Sequence, residues 1–266
     1  MIDFFNARSK IDTGYFELLE TIEAARLDPD LSTFDALQLR KQSGIPFPYR
    51  AYWIRHDVDD RIDLAWDMAE AEAERGIRAA YFFLHTAPYF RWGAFLDMAR
   101  DFVQAGHTIG MHNNAISAAM RNGDDDLAEK MLKRDLAYLR KAGDIWITAS
   151  HGDLWNRLNK TPNYEMFTEC RRNGCCFKHK PLAHYGLKHE VYFTPYDFYL
   201  SDSGSVWSTC RDINVSLSSE IPVGGNPADT IGAFNKTENG ILQLLVHPQW
   251  WEKKSVDAVK AQPLRQ

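Results

Sequence analysis

The chain has 266 residues, a formal net charge of −5, 45% hydrophobic and 25% charged residues, which is the composition of a globular protein with a sizeable core. Neither sign of charge gathers in one half or forms a basic face, so no nucleic-acid partner is expected. No apolar run is long enough to cross a bilayer, so no membrane span is expected either.

The opening MIDFFNARSK lacks the charged-then-apolar layout of a secretory signal, and Cys170, Cys175, Cys176 and Cys210 form no CxxC pair. Both features point to reduced thiols and a cytoplasmic location. Cys175-Cys176 beside His179 could bind a metal, but that spacing fits no common closed site.

Residues 1–50 read as a helical extension packing on a barrel domain at 51–266. Tyr15, Leu18, Leu19 and Ile22 fall at helical spacing within 11–43, and Ser43-Gly44-Ile45-Pro46-Phe47-Pro48 then breaks the chain. From there strand and helix alternate. Ala51–His56 is an apolar strand ending in Asp57-Val58-Asp59-Asp60. A helix follows with Ile62, Ala65, Trp66, Ala69 and Ala73 on its buried face and Gly76 as its stop. Ala79–Leu84 is the second strand, and Phe95, Met98, Ala99, Phe102 and Val103 mark a helix closed by Gly106. Thr108–Met111 is the third strand. The next helix carries Asp124, Asp125 and Asp126 at its positive end and Arg140 and Lys141 at its negative end. Ile145–Ala149 is the fourth strand, and Thr161-Pro162 predicts a helix running to Gly174. Short strands are predicted at Val191–Phe193 and Phe198–Leu200, and a strong one at Ile241–Val246. The alternation predicts a mostly parallel sheet covered by helices.

Position carries the functional signal. Asp57 and Asp59 follow the first barrel strand, and His85, His112, His151 and His247 end four others. Ligands and catalytic groups of parallel α/β folds collect at the carboxyl ends of strands, so acids and imidazoles converge on one rim. Asp with His is the usual ligand set for zinc or another divalent first-row metal. Three such ligands with an open position suit a metal that activates water. Of two carboxylates spaced two apart, one can bind the metal and the other take a proton. Taken singly, each residue also has a plain structural reading: a satisfied histidine, or an N-cap aspartate pair.

At these residues the chain resembles the polysaccharide deacetylase superfamily, the NodB-homology fold of carbohydrate esterase family 4. Arg55-His56-Asp57-Val58-Asp59-Asp60 is similar to its first motif, with one residue between the aspartates. Tyr81-Phe82-Phe83 resembles the stretch after that motif. Gly106-His107-Thr108-Ile109-Gly110-Met111-His112 is similar to the second motif. His247-Pro248-Gln249-Trp250-Trp251, preceded by Leu245-Val246, resembles the ending of a divergent branch, as does Ser201-Asp202-Ser203-Gly204. The resemblance spans roughly residues 50 to 251. It implies a distorted barrel of about seven parallel strands, with Asp57 as catalytic base, Asp59 and His112 on the metal, and His247 as catalytic acid. The implied activity is metal-assisted removal of an acyl group, usually acetyl, from an amino sugar or related carbohydrate precursor, a nucleotide- or lipid-linked sugar being the form that the basic segment near residue 180 could meet.

One position departs from that pattern. Where the family places a second metal histidine, four residues after the first, this chain has Ile116, which cannot bind a metal. His151 is the candidate replacement, with His85, Asn113 and Asn114 behind it. If nothing compensates, the alternative is a degenerate member that binds carbohydrate without hydrolysing it. A phosphohydrolase reading of His56-Asp57 stands further back, because such pairs belong to helical domains. His56 should point away from Asp57 across the strand, and His107 reads as structural. Trp250 and Trp251 are placed against a sugar face or in the core. Asp202 is placed on a sugar hydroxyl or in a turn. His179, His184 and His189, interspersed with Lys178, Lys180 and Lys188, read as a solvated segment able to meet a phosphate.

Overall fold

Eight strands hydrogen-bond into one sheet, described from a computed structural model over residues 11–24, 50–121, 125–170, 180–193, 196–205, 207–211 and 227–253. The strands are β1 (Arg50–Val58), β2 (Ala80–Leu84), β3 (Thr108–Asn113), β4 (Ile147–Ser150), β5 (His189–Glu190), β6 (Phe198–Ser201), β7 (Ser208–Arg211) and β8 (Gly240–Val246). They lie in the order β5-β4-β3-β2-β1-β8-β6-β7. Only β7 runs antiparallel, along β6. Seven parallel strands thus curl into a half-barrel with helices, the parallel α/β sheet expected from the alternation and compatible with the distorted barrel that the resemblance implied.

The helices are α1 (Thr13–Ala24), α2 (Ile62–Ala73), α3 (Phe95–Gln104), α4 (Ala115–Arg121), α5 (Asp125–Leu139), α6 (Leu154–Asn159) and α7 (Pro227–Phe234). Strand periodicity divides β1 between two cores. Ile54 and Val58 face the main core, shared with Met68, Phe102 and Leu136 from the helices. Trp53 joins Ala80, Phe82, Ile147 and Ile241 in a smaller inner core. Gly110 has no Cβ because one there would stand 2.7 Å from the Phe82 ring. Its bare backbone lets that ring lie across the inner face.

The first helix is tied to the barrel rather than trailing from it. Tyr15, Leu18, Leu19 and Ile22 are buried in the main core, worth roughly 1.5–3 kcal/mol for each large apolar side chain. The Tyr15 hydroxyl donates to Glu72 Oε1 at 2.6 Å, and Tyr81 donates to Glu72 Oε2 at 2.7 Å. His56 Nε2 lies 2.8 Å from Glu72 Oε1, so His56 does turn away from the rim. That buried carboxylate is fully enclosed by partners, which is what burying a charge requires. No helix among the described residues is long and apolar enough to cross a membrane.

Several local expectations change. No long helix begins at Thr161-Pro162. The helix is α6, eight residues earlier, where Asp153 caps Asn156 N–H and Asn156 reciprocates. After Pro162 there is only a single turn, Asn163–Met166, because Asn163 is drawn inward and Phe167 bridges to Lys180. Val191–Phe193 is a tight turn, and its strand is His189–Glu190 just before it. His189 is therefore buried, not part of a solvated segment, and His184 meets Glu129. The cluster Cys175, Cys176 and His179, and the helical expectation for residues 25–43, lie outside the described residues.

Candidate metal centre

Strand register brings the site together. Leu84 pairs with His112, and His112 with Ala149, so the end of β3 stands level with the end of β4. His151 comes two residues past Ala149, on the same side of the sheet. Asp59 follows β1 at the matching height. The result is a triangle. Asp59 Oδ1 lies 3.2 Å from His112 Nε2 and 3.2 Å from His151 Nδ1, and the two ring nitrogens are 3.1 Å apart. Two ligands bound tetrahedrally at about 2.0–2.1 Å from one cation stand about 3.3 Å apart, so the three atoms fit a single ion.

Proton accounting points the same way. His112 Nδ1 is 2.8 Å from the Ala149 carbonyl, which can only accept, so Nδ1 carries the hydrogen and Nε2 presents its lone pair inward. Asp59 Oδ1 is buried between the two imidazole nitrogens. Three donor atoms gathered at one point are what a cation needs. The other oxygen, Asp59 Oδ2, accepts from Gln249 Nε2 at 3.3 Å. Burial works against the charge on Asp59, but the two imidazoles outweigh it and hold the carboxyl far below its ordinary range.

Topology offers a candidate donor in place of Ile116. Ile116 sits fully buried on α4 in the main core, and His151 supplies the third donor. The fallback candidates are committed elsewhere. His85 Nε2 accepts the Asn114 backbone N–H at 2.9 Å, and its Nδ1 faces Asp135 at 2.8 Å, leaving no lone pair for a metal. Asn113 Oδ1 accepts from Ala115 N–H, and Asn114 Oδ1 accepts from Asn163.

Two further groups flank the triangle. Asp57 receives a bidentate clasp from Arg55, Nε to Oδ1 at 2.7 Å and Nη2 to Oδ2 at 2.5 Å. Asp57 Oδ2 also stands 3.5 Å from His112 Nε2. Burial alone raises the Asp57 pKa, but Arg55 and then His112 more than reverse that and leave it depressed. On the far side, His247 Nδ1 lies 2.6 Å from Asp202 Oδ1. Asp202 also accepts the His247 backbone N–H, and Trp251 Nε1 donates to its Oδ2 at 2.9 Å. An acceptor at Nδ1 fixes the tautomer and leaves Nε2 as the working end. Burial lowers the His247 pKa, but the Asp202 contact outweighs it and sets the value above normal.

Asp202 therefore holds His247, and Trp251 is engaged with Asp202, Tyr15 and Trp207. Trp250, three residues past His247, is 45% exposed. His107 is structural: it accepts from Ala79 N–H and faces the Ala69 carbonyl. The sequence reading assigned no role to Arg55, Gln249 or Asn163. Arg55 had a signal, since it lies two residues before Asp57 and so shares its strand face. Asn163 had none, because its partners come from three separate segments. No protein-family model and no curated protein matches the chain, so the motif resemblance stands on its own residues.

Proposed function

We propose that this protein is a metal-dependent hydrolase that removes an acyl group, N-acetyl foremost, from an amino sugar or a related carbohydrate precursor. The observation that carries the reading is the single meeting point of Asp59 Oδ1, His112 Nε2 and His151 Nδ1, set between an arginine-held aspartate and an aspartate-held histidine. A divalent first-row cation on those three residues, zinc foremost, would act as a Lewis acid and make a water ionisable near neutral pH.

The chain's own residues divide the proton work. Asp57 takes a proton from the attacking water. Arg55 uses one acceptor direction on each carboxylate oxygen, leaving the others open, and keeps Asp57 ionised at neutral pH. His247, protonated more readily than an ordinary histidine, hands its Nε2 proton to the departing nitrogen as the C–N bond breaks. Asp202 keeps the ring oriented and steadies its positive charge. Gln249 holds Asp59 so that Oδ1 stays turned inward. The sugar is supported by the motif resemblance and by the exposed Trp250 ring, three residues past His247. A cytoplasmic site of action follows the cysteine pattern of the sequence.

Acetate release from N-acetylated amino sugars by the zinc-loaded protein tests this. The parent should turn over, and Asp57→Asn should lose about 10²-fold or more in kcat while retaining metal. A parent that binds metal and sugar but releases no acetate would leave a carbohydrate-binding protein instead.

A further inference from the structure

A cavity of about 310 Å³ opens against the metal centre, with His151 as part of its wall. Arg157 and Lys160, from α6 and its C-terminal end, also line it, as do Tyr164 and Tyr192. No acidic residue lines it, although the whole chain is net negative. The nearest carboxylate on this segment, Asp153, is already committed: it caps α6, accepts from Ser117 and pairs with Arg121. Arg157 and Lys160 have no ion-pair partner among the described residues. Two cations without an ion-pair partner among the described residues thus line one concavity.

Lys160 adds a backbone observation. It ends α6 in the left-handed conformation, φ 53° and ψ 34°, where glycine is the cheap choice and a side chain costs about 1–2 kcal/mol. Lys160 in that conformation lines the cavity. The aromatic side is connected to the chemistry. The rings of Tyr164 and Tyr192 stand 5.4 Å apart, and the Arg55 guanidinium, which clasps Asp57, lies 5.3 Å from the centroid of Tyr192. His151, the two tyrosines and the two cations thus line one cavity.

We propose that this cavity selects a sugar bearing an anionic group, held by Arg157 and Lys160. An arginine fork beside a lysine point charge suits the oxygens of a phosphate ester or a carboxylate. The sugar in this assignment rests on the hydrolase reading above, whereas the anion contact does not.

The test is calorimetric titration of the full chain stripped of metal with a chelator, so that no cation can hold the anion. The probes are N-acetylglucosamine, its phosphate esters and N-acetylmuramic acid. At least one anionic probe should bind roughly tenfold tighter than the neutral sugar, with an advantage that shrinks as salt rises. Arg157→Gln/Lys160→Gln should abolish that advantage with the melting temperature unchanged. Whichever anion gains, phosphate or carboxylate, identifies the source. Equal affinity for charged and neutral probes, or an advantage that survives the double substitution, overturns the proposal. The two readings fail separately. A parent that releases no acetate yet keeps the charge-dependent binding sinks the hydrolase alone, and turnover without charge preference sinks the anion site alone.

Discussion

Replacing Asn163 with alanine should destabilise the fold and loosen the metal centre together. Asn163 is fully buried. Its Nδ2 faces the His151 carbonyl at 2.8 Å, Asn114 Oδ1 at 3.1 Å and Asn156 Oδ1 at 3.1 Å. Its Oδ1 accepts the Ser117 backbone N–H at 3.2 Å. Asn156 Oδ1 keeps a second donor in Asp153 N–H, so its loss is small. The His151 carbonyl, Asn114 Oδ1 and the Ser117 N–H lose their Asn163 partner, at about 1 kcal/mol or more each. Roughly 3 kcal/mol in all, at about 3 °C per kcal/mol for a domain of this size, lowers the melting temperature by about 9 °C. The His151 backbone would then be held through its N–H to Asn113 O. Loss of such outer support typically weakens metal binding about 10–100-fold. Urea melts of the metal-free protein give the first number, and competition with a chromophoric chelator gives the second. A loss under about 1 kcal/mol with unchanged zinc affinity would show that this amide network does not hold His151.

Other outcomes follow from the same contacts. Asp202→Asn should lower the His247 pKa, since the Asp202 contact is what lifts it against burial; imidazole NMR titration reads this, and an unchanged value would remove Asp202 from its positioning role. Gly110→Ala forces a Cβ to within 2.7 Å of Phe82, and overpacking of this kind costs about 1–3 kcal/mol, so an unaltered denaturation midpoint would contradict the tight inner core. His85 and His107 are held neutral, their pKa values lowered chiefly by burial. The unfolded chain therefore binds protons first, so their stabilisation is full above about pH 6.5 and is lost as pH falls through the folded values. His107→Gln should flatten the acid-side decline of unfolding free energy by up to about 1.4 kcal/mol per pH unit; an identical slope would place His107 outside the buried neutral set.

How far the sequence reached follows from the range of each interaction. Period-two alternation turned His56 away from Asp57 across β1, a rule that needs only neighbouring residues. Strand ends located His112, His151 and His247 because parallel strands finish on a common edge. Ile116 could be excluded as a ligand on chemistry alone, and His151 proposed from its place at the end of β4. Long-range contacts were out of reach. The Thr161-Pro162 signal is a sound local helix start, but the pull of Asn163 toward His151 and the Phe167–Lys180 bridge override it. Asp202 read as a turn or sugar contact because nothing in its neighbourhood shows that His247, on a distant strand, turns Nδ1 toward it. His189 sat among lysines and so looked solvated, while its pairing with Ile147 buries it.

Zinc titration into metal-free protein, run side by side for the parent and His151→Ala, tests the central claim most directly. The account predicts about one tightly held ion per chain in the parent and a marked loss of affinity in the variant, since one of three donors is gone. A parent that takes up no zinc at several-fold excess, or a variant that binds it as tightly as the parent, would contradict the convergence of Asp59, His112 and His151 on one cation.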